Sequence, residues 1–206
     1  MLVIGLTGGI GMGKSAAAER FAAHGIPVFN ADLCVHQLYA GPAAAAIEEA
    51  FPGAVRGGKV DRGLLSERIA GSPERLRRLE EIVHPMVVAA ELDFLFEQEK
   101  KGARFAVLEI PLLFETGAEK RVDVTVVLSA PEEVQRERVL ARPGMTVDKL
   151  EHLLARQLSD AERRARADFV VESGTGLEDM HEEIDKLIES LQNREGRVMR
   201  HLRRMR

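Results

Sequence analysis

The stretch Thr7–Ser15, TGGIGMGKS, contains four glycines followed by a lysine and a serine. It matches the phosphate-binding loop pattern, in which glycines let backbone N–H groups converge on phosphate oxygens. Lys14 adds positive charge, and Ser15 offers a hydroxyl to Mg²⁺. The apolar run Met1–Leu6 predicts a buried strand before the loop, and the spacing over Lys14–His24 predicts a helix after it. The stretch therefore predicts an α/β protein that binds a nucleoside triphosphate and magnesium.

Four further apolar runs predict strands after the first. They lie at Pro27–Asn30, Arg104–Glu109, Asp123–Leu128 and Ala167–Ser173, with helical patterns between them. Strands that alternate with helices form a parallel sheet with right-handed crossovers. The sequence therefore predicts the P-loop NTPase fold, a five-stranded parallel sheet flanked by helices.

Two intervals between strands are longer than simple crossovers, and we interpret them as insertions. Residues 31–102 are predicted to be helical without any strand, with Arg56–Asp61 as a loop and with Pro73–Ile82 and Pro85–Lys101 as separate helices. Residues 142–166 are a shorter, arginine-rich helical segment. The predicted organisation is one domain over 1–193, with a core of 1–30, 103–141 and 167–193, followed by a basic tail at 194–206.

The 206-residue chain has a formal charge of −4, which gives it no general attraction to nucleic acid or anionic membranes. Its tail, 194–206, holds six arginines and one acid, Glu195, and is predicted to be disordered. Cys34 is the only cysteine, which suits a reducing cytoplasm. No apolar run approaches the length of a membrane span. We expect a cytoplasmic monomer, with a homo-oligomer left open, and no membrane or nucleic-acid partner.

The segments around the third and fourth strands favour phosphoryl transfer over other uses of such a loop. LSAPEE follows the fourth strand where a GTPase has its base-reading motif, and FAVLEI offers only Glu109 where motor ATPases have paired acids. An arginine-rich segment before the last strand is typical of a kinase lid, which excludes water and neutralises charge. Arg138, Arg142 and Arg156 are candidate lid arginines, the first two spaced to share a helix face. Alternatively, they are solvated surface arginines paired with Glu133 and Glu137.

Two carboxylates stand where predicted strands end. Asp32 follows the second strand and Glu109 ends the third, and functional groups gather beyond the carboxyl ends of parallel strands. Asp32 is a candidate general base, or a holder of a magnesium-bound water, or simply a helix cap. Glu109 is a second candidate for contact with magnesium or substrate, or else a solvated strand-end carboxylate.

Six stretches occur in an order that matches one known family. They are IGLTGGIGMGKS (Ile4–Ser15), GIPVFNAD (Gly25–Asp32), LEEIVHPMV (Leu79–Val87), LEIPLLFETG (Leu108–Gly117), VDVTVVLSAPEEVQRERVLAR (Val122–Arg142) and ARADFVVESG (Ala165–Gly174). In these stretches the chain resembles the dephospho-coenzyme A kinases, which are similar in fold to nucleoside monophosphate kinases. The resemblance implies transfer of the ATP γ-phosphoryl group to the ribose 3′-hydroxyl of dephospho-CoA, the last step of coenzyme A biosynthesis.

The resemblance also implies roles for individual residues. Asp32 matches the catalytic base, and Arg142 matches the lid arginine that contacts ATP and, with Lys14, stabilises the transferred charge. The implied ATP-binding residues are Gly9, Ile10, Gly11, Met12, Gly13, Lys14, Ser15 and Arg142. The implied acceptor-binding residues are Asp32, His84, Glu109, Leu112, Leu113 and Phe114. Ser15 would hold Mg²⁺, with Asp32 or Glu109 contributing through water. From the residues alone, His84 is equally a helix boundary and Leu112–Phe114 equally core packing.

The chain departs from the family pattern at two places. Asn30 replaces the first acid of the usual Asp-x-Asp, so the pair of carboxylates is absent while Asp32 remains. Glu172-Ser173-Gly174 replaces the Asp-Asn-x-Gly near the nucleotide base, which leaves adenine mainly to backbone contacts. Two other functions stay open, namely another small-molecule or nucleotide kinase of this fold and a non-catalytic module that senses ATP or CoA.

Overall fold

The computed structural model describes residues 1–205, which form two compact units. Met1–Phe29 and the chain from Glu97 onward make the first unit, and Asn30–Phe96 make the second. The strands are β1 (Leu2–Gly8), β2 (Val28–Asn30), β3 (Val55–Arg56), β4 (Lys59–Val60), β5 (Phe105–Glu109), β6 (Val124–Ser129) and β7 (Phe169–Glu172). The helices are α1 (Lys14–Ala23), α2 (Ala31–Tyr39), α3 (Ala44–Ala50), α4 (Arg62–Ile69), α5 (Pro73–Lys100), α6 (Glu132–Leu140), α7 (Val147–Leu154), α8 (Asp160–Arg166), α9 (Leu177–Ser190) and α10 (Val198–Met205), with a 3₁₀ helix at Ala118–Arg121. Within these described residues, no helix is both long and apolar enough to cross a membrane.

The first unit is built on a five-stranded sheet in the order β2-β5-β1-β6-β7. Strand β1 pairs in parallel with β5 and β6, and β6 pairs in parallel with β7, which confirms the predicted sheet. All seven residues of β1 are buried. After β1 the chain forms β2 and β5 on one side of β1, and then β6 and β7 on the other side. The loop after β1 therefore lies where the strand order reverses. Open α/β sheets bind their ligands at such a point.

Side chains of β1 alternate between the two faces of the sheet. Leu2, Ile4 and Leu6 pack with residues of α1, β6 and α9 in one buried cluster. Gly5 points to the other face, where an added Cβ would lie 3.0 Å from a methyl group of Val122. The strand that carries the phosphate loop is therefore fixed by close packing on both faces.

The second unit contains a short hairpin, so the prediction of an insertion without strands is wrong. Strand β3 pairs antiparallel with β4, with Val55 opposite Val60. The turn residues Gly57 and Gly58 have φ of 56° and 75°. Two successive positive φ values make a two-residue turn whose twist matches that of a hairpin, and glycine adopts them at little cost.

Helix α5 is continuous, so the predicted break before Pro85 is wrong. Its buried positions recur every fourth residue along one face: Leu79, Val83, Val87, Glu91 and Leu95. An interior proline costs a helix about 3 kcal/mol. Burial of a stripe that runs past Pro85 on both sides offsets this cost, and Pro85 itself is exposed.

The chain after α9 forms helix α10, so the prediction of a disordered tail is wrong for 194–205; Arg206 lies outside the described residues. Asp123 Oδ1 accepts hydrogen bonds from the backbone N–H groups of Arg197 (2.6 Å) and Val198 (2.9 Å). These bonds satisfy donors that a helix start leaves without intrahelical partners. Met199 is only 1% exposed, so the tail is held by packing as well as by hydrogen bonds.

Helices α1 and α9 are joined by an ionic contact. Arg20 contacts both carboxylate oxygens of Asp185, with Nε 2.8 Å from Oδ1, and His24 Nε2 lies 2.7 Å from the same oxygen. The hydrogen bond from Arg20, reinforced by His24, lowers the pKa of Asp185 to about 2. In the folded protein the contact thus favours the ionised form of the Asp185 carboxyl group over the protonated form.

The low pKa of Asp185 predicts a pH dependence of stability. A carboxyl group whose pKa falls on folding stabilises the fold above its ordinary pKa of 3.8 and loses that contribution as the pH falls toward 2. We expect Asp185→Asn to unfold at a lower urea concentration than the wild type at neutral pH. The difference should shrink between about pH 4 and about pH 2. Urea titrations across this range measure it, and a difference that stays constant throughout would contradict the assignment.

The buried Met199 predicts that α10 contributes to stability. We expect Met199→Ala to lower the free energy of unfolding by about 2–5 kcal/mol, the usual cost of truncating a buried methionine. The matched control is Arg200→Ala on the exposed side of the same helix, which should change stability by about 0.5 kcal/mol or less. Equal stability of the two variants in denaturant titrations would show that Met199 does not pack as described.

Candidate active site

The phosphate loop runs from the end of β1 into α1, as the sequence predicts. Gly11 and Gly13 have φ of 78° and 85°, a region that residues with a Cβ rarely adopt. At Gly11 an added Cβ would also lie 2.6 Å from a methyl group of Val139. Gly13 precedes α1 without a side-chain cap. The positive end of α1 is therefore left to the loop and its ligand.

Lys14 and Ser15 are the first two residues of α1. Lys14 Nζ donates to the carbonyl oxygens of Gly8 (2.9 Å) and Gly9 (3.3 Å), which places the ammonium group over the loop. Ser15 is exposed, whereas Met12 is 2% exposed and belongs to the core. The predicted ATP-binding residues 9–15 thus form one continuous loop and helix start, with Met12 anchoring it from beneath.

The candidate lid arginines have different surroundings. Arg138 is half-buried and donates to the carbonyl (2.5 Å) and hydroxyl (3.2 Å) oxygens of Ser173. Arg142 and Arg156 are exposed. Arg142 lies beyond Leu140, the last residue of α6, so the expectation that it shares a helix face with Arg138 is wrong. Arg138 therefore makes a contact within the protein, and the lid roles of Arg142 and Arg156 stay predictions.

The arginine-rich segment 142–166 contains α7 and α8 and is fastened at its C-terminal end. Ser159 and Glu162 form a capping box at the start of α8, and hydrogen bonds from Ser159 lower the pKa of Glu162. Arg163 is 2% exposed, with Nη2 3.2 Å from Gln157 Oε1. The same Gln157 oxygen accepts the N–H of Ile10 at 3.2 Å. This end of the segment therefore contacts the phosphate loop directly.

A buried ion pair completes this contact. Arg163 Nη2 lies 3.6 Å from Glu115 Oε1, which also accepts the N–H of Leu158 at 2.9 Å. Removing a charge from water is costly, so a buried arginine requires such a carboxylate. Glu115 belongs to the stretch that follows β5, and it thereby links that stretch to the arginine-rich segment.

Strand β5 ends at Glu109 beside the strand that carries the phosphate loop. The register pairs Glu109 with Leu6 of β1. Glu109 is 5% exposed, so the alternative of a solvated strand-end carboxylate is wrong. Just beyond it, the Pro111 carbonyl accepts a hydrogen bond from the Thr7 hydroxyl at 3.1 Å. The segment after β5 is thus fixed to the beginning of the phosphate loop.

The apolar residues predicted to contact the acceptor differ in exposure. Leu112 is 37% exposed, whereas Leu113 and Phe114 are buried. An added Cβ at Gly5 would lie 3.2 Å from Leu113 Cδ2, so Leu113 packs under β1. Leu112 is the one of the three with an exposed side chain. The acceptor contacts of all three residues stay predictions.

Asp32 and His84 lie in the second unit. The Asn30 side chain accepts the N–H of Leu33 at 2.8 Å and caps α2, so the alternative of Asp32 as the cap is wrong. Asp32 is exposed in the first turn of α2. His84 is exposed inside α5, which excludes the alternative of a helix boundary. The substrate roles of both residues stay predictions.

Sequence reasoning missed three side chains that contact the phosphate loop. Gln135 donates to the Ile10 carbonyl at 2.8 Å, Ser173 Oγ donates to the Met12 carbonyl at 2.9 Å, and Gln157 accepts from Ile10 as described. Ser173 directly follows β7, and a polar residue at a strand's carboxyl end is a signal that sequence provides. Nothing in the local pattern distinguishes the two glutamines from solvated ones.

A family model and curated relatives match this chain over most of its length, and they point to the same family. The family model described as Dephospho-CoA kinase matches residues 2–179. A dephospho-CoA kinase of Rhodopseudomonas palustris (strain ATCC BAA-98 / CGA009) is 54% identical over 190 residues, which cover 92% of this chain and 96% of the relative. One of Brucella melitensis biotype 1 is 51% identical over 200 residues, covering 97% and 100%.

A solved structure is similar to this chain in fold. TT1252 from Thermus thermophilus has a TM-score of 0.82 to this chain at 35% identity, covering 93% of this chain and 98% of that one. The family match begins with β1, includes the phosphate loop and extends into α9. On this evidence the chain belongs to the dephospho-CoA kinase family.

Proposed function

We propose that this chain transfers the γ-phosphoryl group of ATP to the ribose 3′-hydroxyl of dephospho-CoA, giving CoA and ADP. The observation that carries the proposal is the family match over residues 2–179, which includes the whole phosphate loop. The reaction forms a bond between the 3′-oxygen and the γ-phosphorus and breaks the bond from that phosphorus to the β–γ bridging oxygen. It is the last step of coenzyme A biosynthesis.

The phosphate loop supplies the donor site. Its backbone N–H groups and the start of α1 bind the phosphates of ATP. Lys14 exchanges its contacts with the Gly8 and Gly9 carbonyls for contacts with the β- and γ-phosphates. Arg142, exposed just after α6, closes over the same phosphates and stabilises the transferred charge.

Mg²⁺ fits this loop as a partner of the substrate phosphates. No group of three or more His, Cys, Asp or Glu side chains that could hold a metal ion occurs in the described part of the chain. Mg²⁺ ordinarily takes one or two protein oxygens and completes its shell with water and phosphate. Ser15 offers an exposed hydroxyl, and Glu109 or Asp32 would hold a coordinated water. When bound, the ion neutralises charge on the phosphates.

The acceptor requires a base and an orienting surface. Asp32 accepts the proton of the 3′-hydroxyl as its oxygen attacks the γ-phosphorus. Leu112 and His84, both exposed, contact the acceptor, and Glu109 orients its hydroxyl. Leu113 and Phe114 hold Leu112 in place from the core.

We further propose that the protein works in the cytoplasm as a monomer. Cys34 is a buried free thiol, which is compatible with a reducing compartment. Size-exclusion chromatography with light scattering measures the oligomeric state.

A coupled assay tests the reaction. With ATP and Mg²⁺, we expect ADP release only when dephospho-CoA is added, with one CoA formed for each ADP. Shikimate and nucleoside monophosphates serve as competing acceptors, and faster turnover of either would indicate another kinase of this fold. Tight binding of ATP and dephospho-CoA without ADP release would indicate a sensing module.

The proposed base predicts a specific loss. Asp32→Asn should lower kcat by about a hundredfold or more, because a general base contributes about that factor, while ATP affinity stays near the wild-type value. The matched control is Glu74→Gln, which neutralises an exposed carboxylate at the second position of α5, as Asp32 is at the second position of α2. The control should keep its turnover. An Asp32→Asn variant with near wild-type kcat would remove the base assignment.

A further inference from the structure

Each carbonyl group from Gly8 to Gly13 of the phosphate loop accepts a hydrogen bond within the protein. Lys14 Nζ donates to those of Gly8 and Gly9, and the N–H of Ala17 donates to that of Gly13. The three carbonyls between them are held by side chains from elsewhere: Gln135 Nε2 to Ile10 (2.8 Å), Arg138 Nη1 to Gly11 (3.5 Å) and Ser173 Oγ to Met12 (2.9 Å). No role in the reaction proposed above belongs to these three donors.

The orientation of these carbonyls bears on anion binding. In a loop that binds phosphate, successive N–H groups converge on the anion, and the carbonyls point away from it. A peptide turned the other way would aim an oxygen at the phosphate. Glycines on either side of Ile10 and Met12 permit such rotations, because glycine occupies many backbone conformations at similar energy. A donor outside the loop therefore favours the binding orientation.

The three donors form a fixed frame. Gln135 and Ser173 are 6% and 3% exposed. Arg138 stands three residues after Gln135 on α6 and also donates to Ser173, while the N–H of Ser173 donates to the Ser129 carbonyl of β6 at 2.7 Å. Side chains locked by such second contacts hold a site more precisely than mobile ones.

We propose that Gln135 and Ser173 are positioning residues that hold the Ile10 and Met12 carbonyls outward, so that the loop is arranged for phosphate before nucleotide binds. The inference rests on the nucleotide site of the proposed function and not on the acceptor.

Calorimetric titration with ADP and with adenosine tests the inference. Gln135→Met and Ser173→Ala should each weaken ADP binding by about fivefold, from the usual worth of a neutral hydrogen bond. Adenosine, which has no phosphate, should bind both variants as it binds the wild type. In turnover, KM for ATP should rise while KM for dephospho-CoA stays unchanged.

The matched control is Arg136→Met, which removes an arginine from the same helix whose partner is Glu151 at 2.5 Å rather than the loop. It should bind ADP within about twofold of the wild type, since exposed ion pairs contribute little. If one of the two loop variants does not fold, the other carries the same comparison. Equal losses for ADP and adenosine, or unchanged ADP affinity in the variants that fold, would overturn the inference. ADP binding needs no acceptor, so a failure of the proposed reaction would be seen separately.

Discussion

A loop that binds phosphate through its backbone must keep its carbonyl oxygens turned away from the anion. Here that constraint is met by the order of the sheet. Strand β6 lies beside β1 and β7 beside β6, so the residues that follow these strands emerge next to the phosphate loop. Helix α6 after β6 supplies Gln135 and Arg138, and the turn after β7 supplies Ser173. The parallel arrangement thus delivers donors from distant parts of the sequence to one end of the sheet.

The two ends of the arginine-rich segment differ in burial and in contacts. At its C-terminal end Arg163 is buried with Glu115 and Gln157, and the Gln157 oxygen binds the Ile10 N–H. Buried polar atoms are expensive unless satisfied, and Arg163 Nε and Glu115 Oε2 have no partner among the described residues. An anchor that makes several other hydrogen bonds can bear this cost. The N-terminal end carries the exposed Arg142, which takes no part in these contacts.

The local sequence pattern predicted those features that depend only on residues close together in the chain. The five strands, the phosphate loop and the helix after it follow from apolar runs and glycine chemistry, and the structure confirms them. The break at Pro85 and the disordered tail were wrong because burial outweighed local preference, through the stripe along α5 in one case and through Asp123 and Met199 in the other. Val55 and Val60 around Gly57-Gly58 carried a hairpin signal in the sequence that the loop prediction overlooked.

The candidate site also contains residues that the sequence predicts and residues that only the fold brings together. Residues 9–15 are consecutive, so their grouping could be predicted without knowledge of the fold. Arg138 could not be assigned correctly, because its partners are Gly11 and Ser173, 127 and 35 positions away in the chain. A charged side chain on a predicted helix surface is equally compatible with contact to solvent, to substrate or to the backbone of another segment. Only the neighbouring strands decide among these possibilities.

Asn30 shows how a departure from a family pattern can preserve local structure. Its side chain caps α2 through the N–H of Leu33, and asparagine is as good a cap as aspartate. The helix that carries Asp32 therefore begins at the same residue with either side chain. In its first turn the helix dipole favours a carboxylate, which suits the exposed Asp32. Asparagine at position 30 removes a like charge two residues away while retaining the hydrogen bond that begins the helix. The geometry of this turn thus needs a cap at position 30 but no carboxylate there.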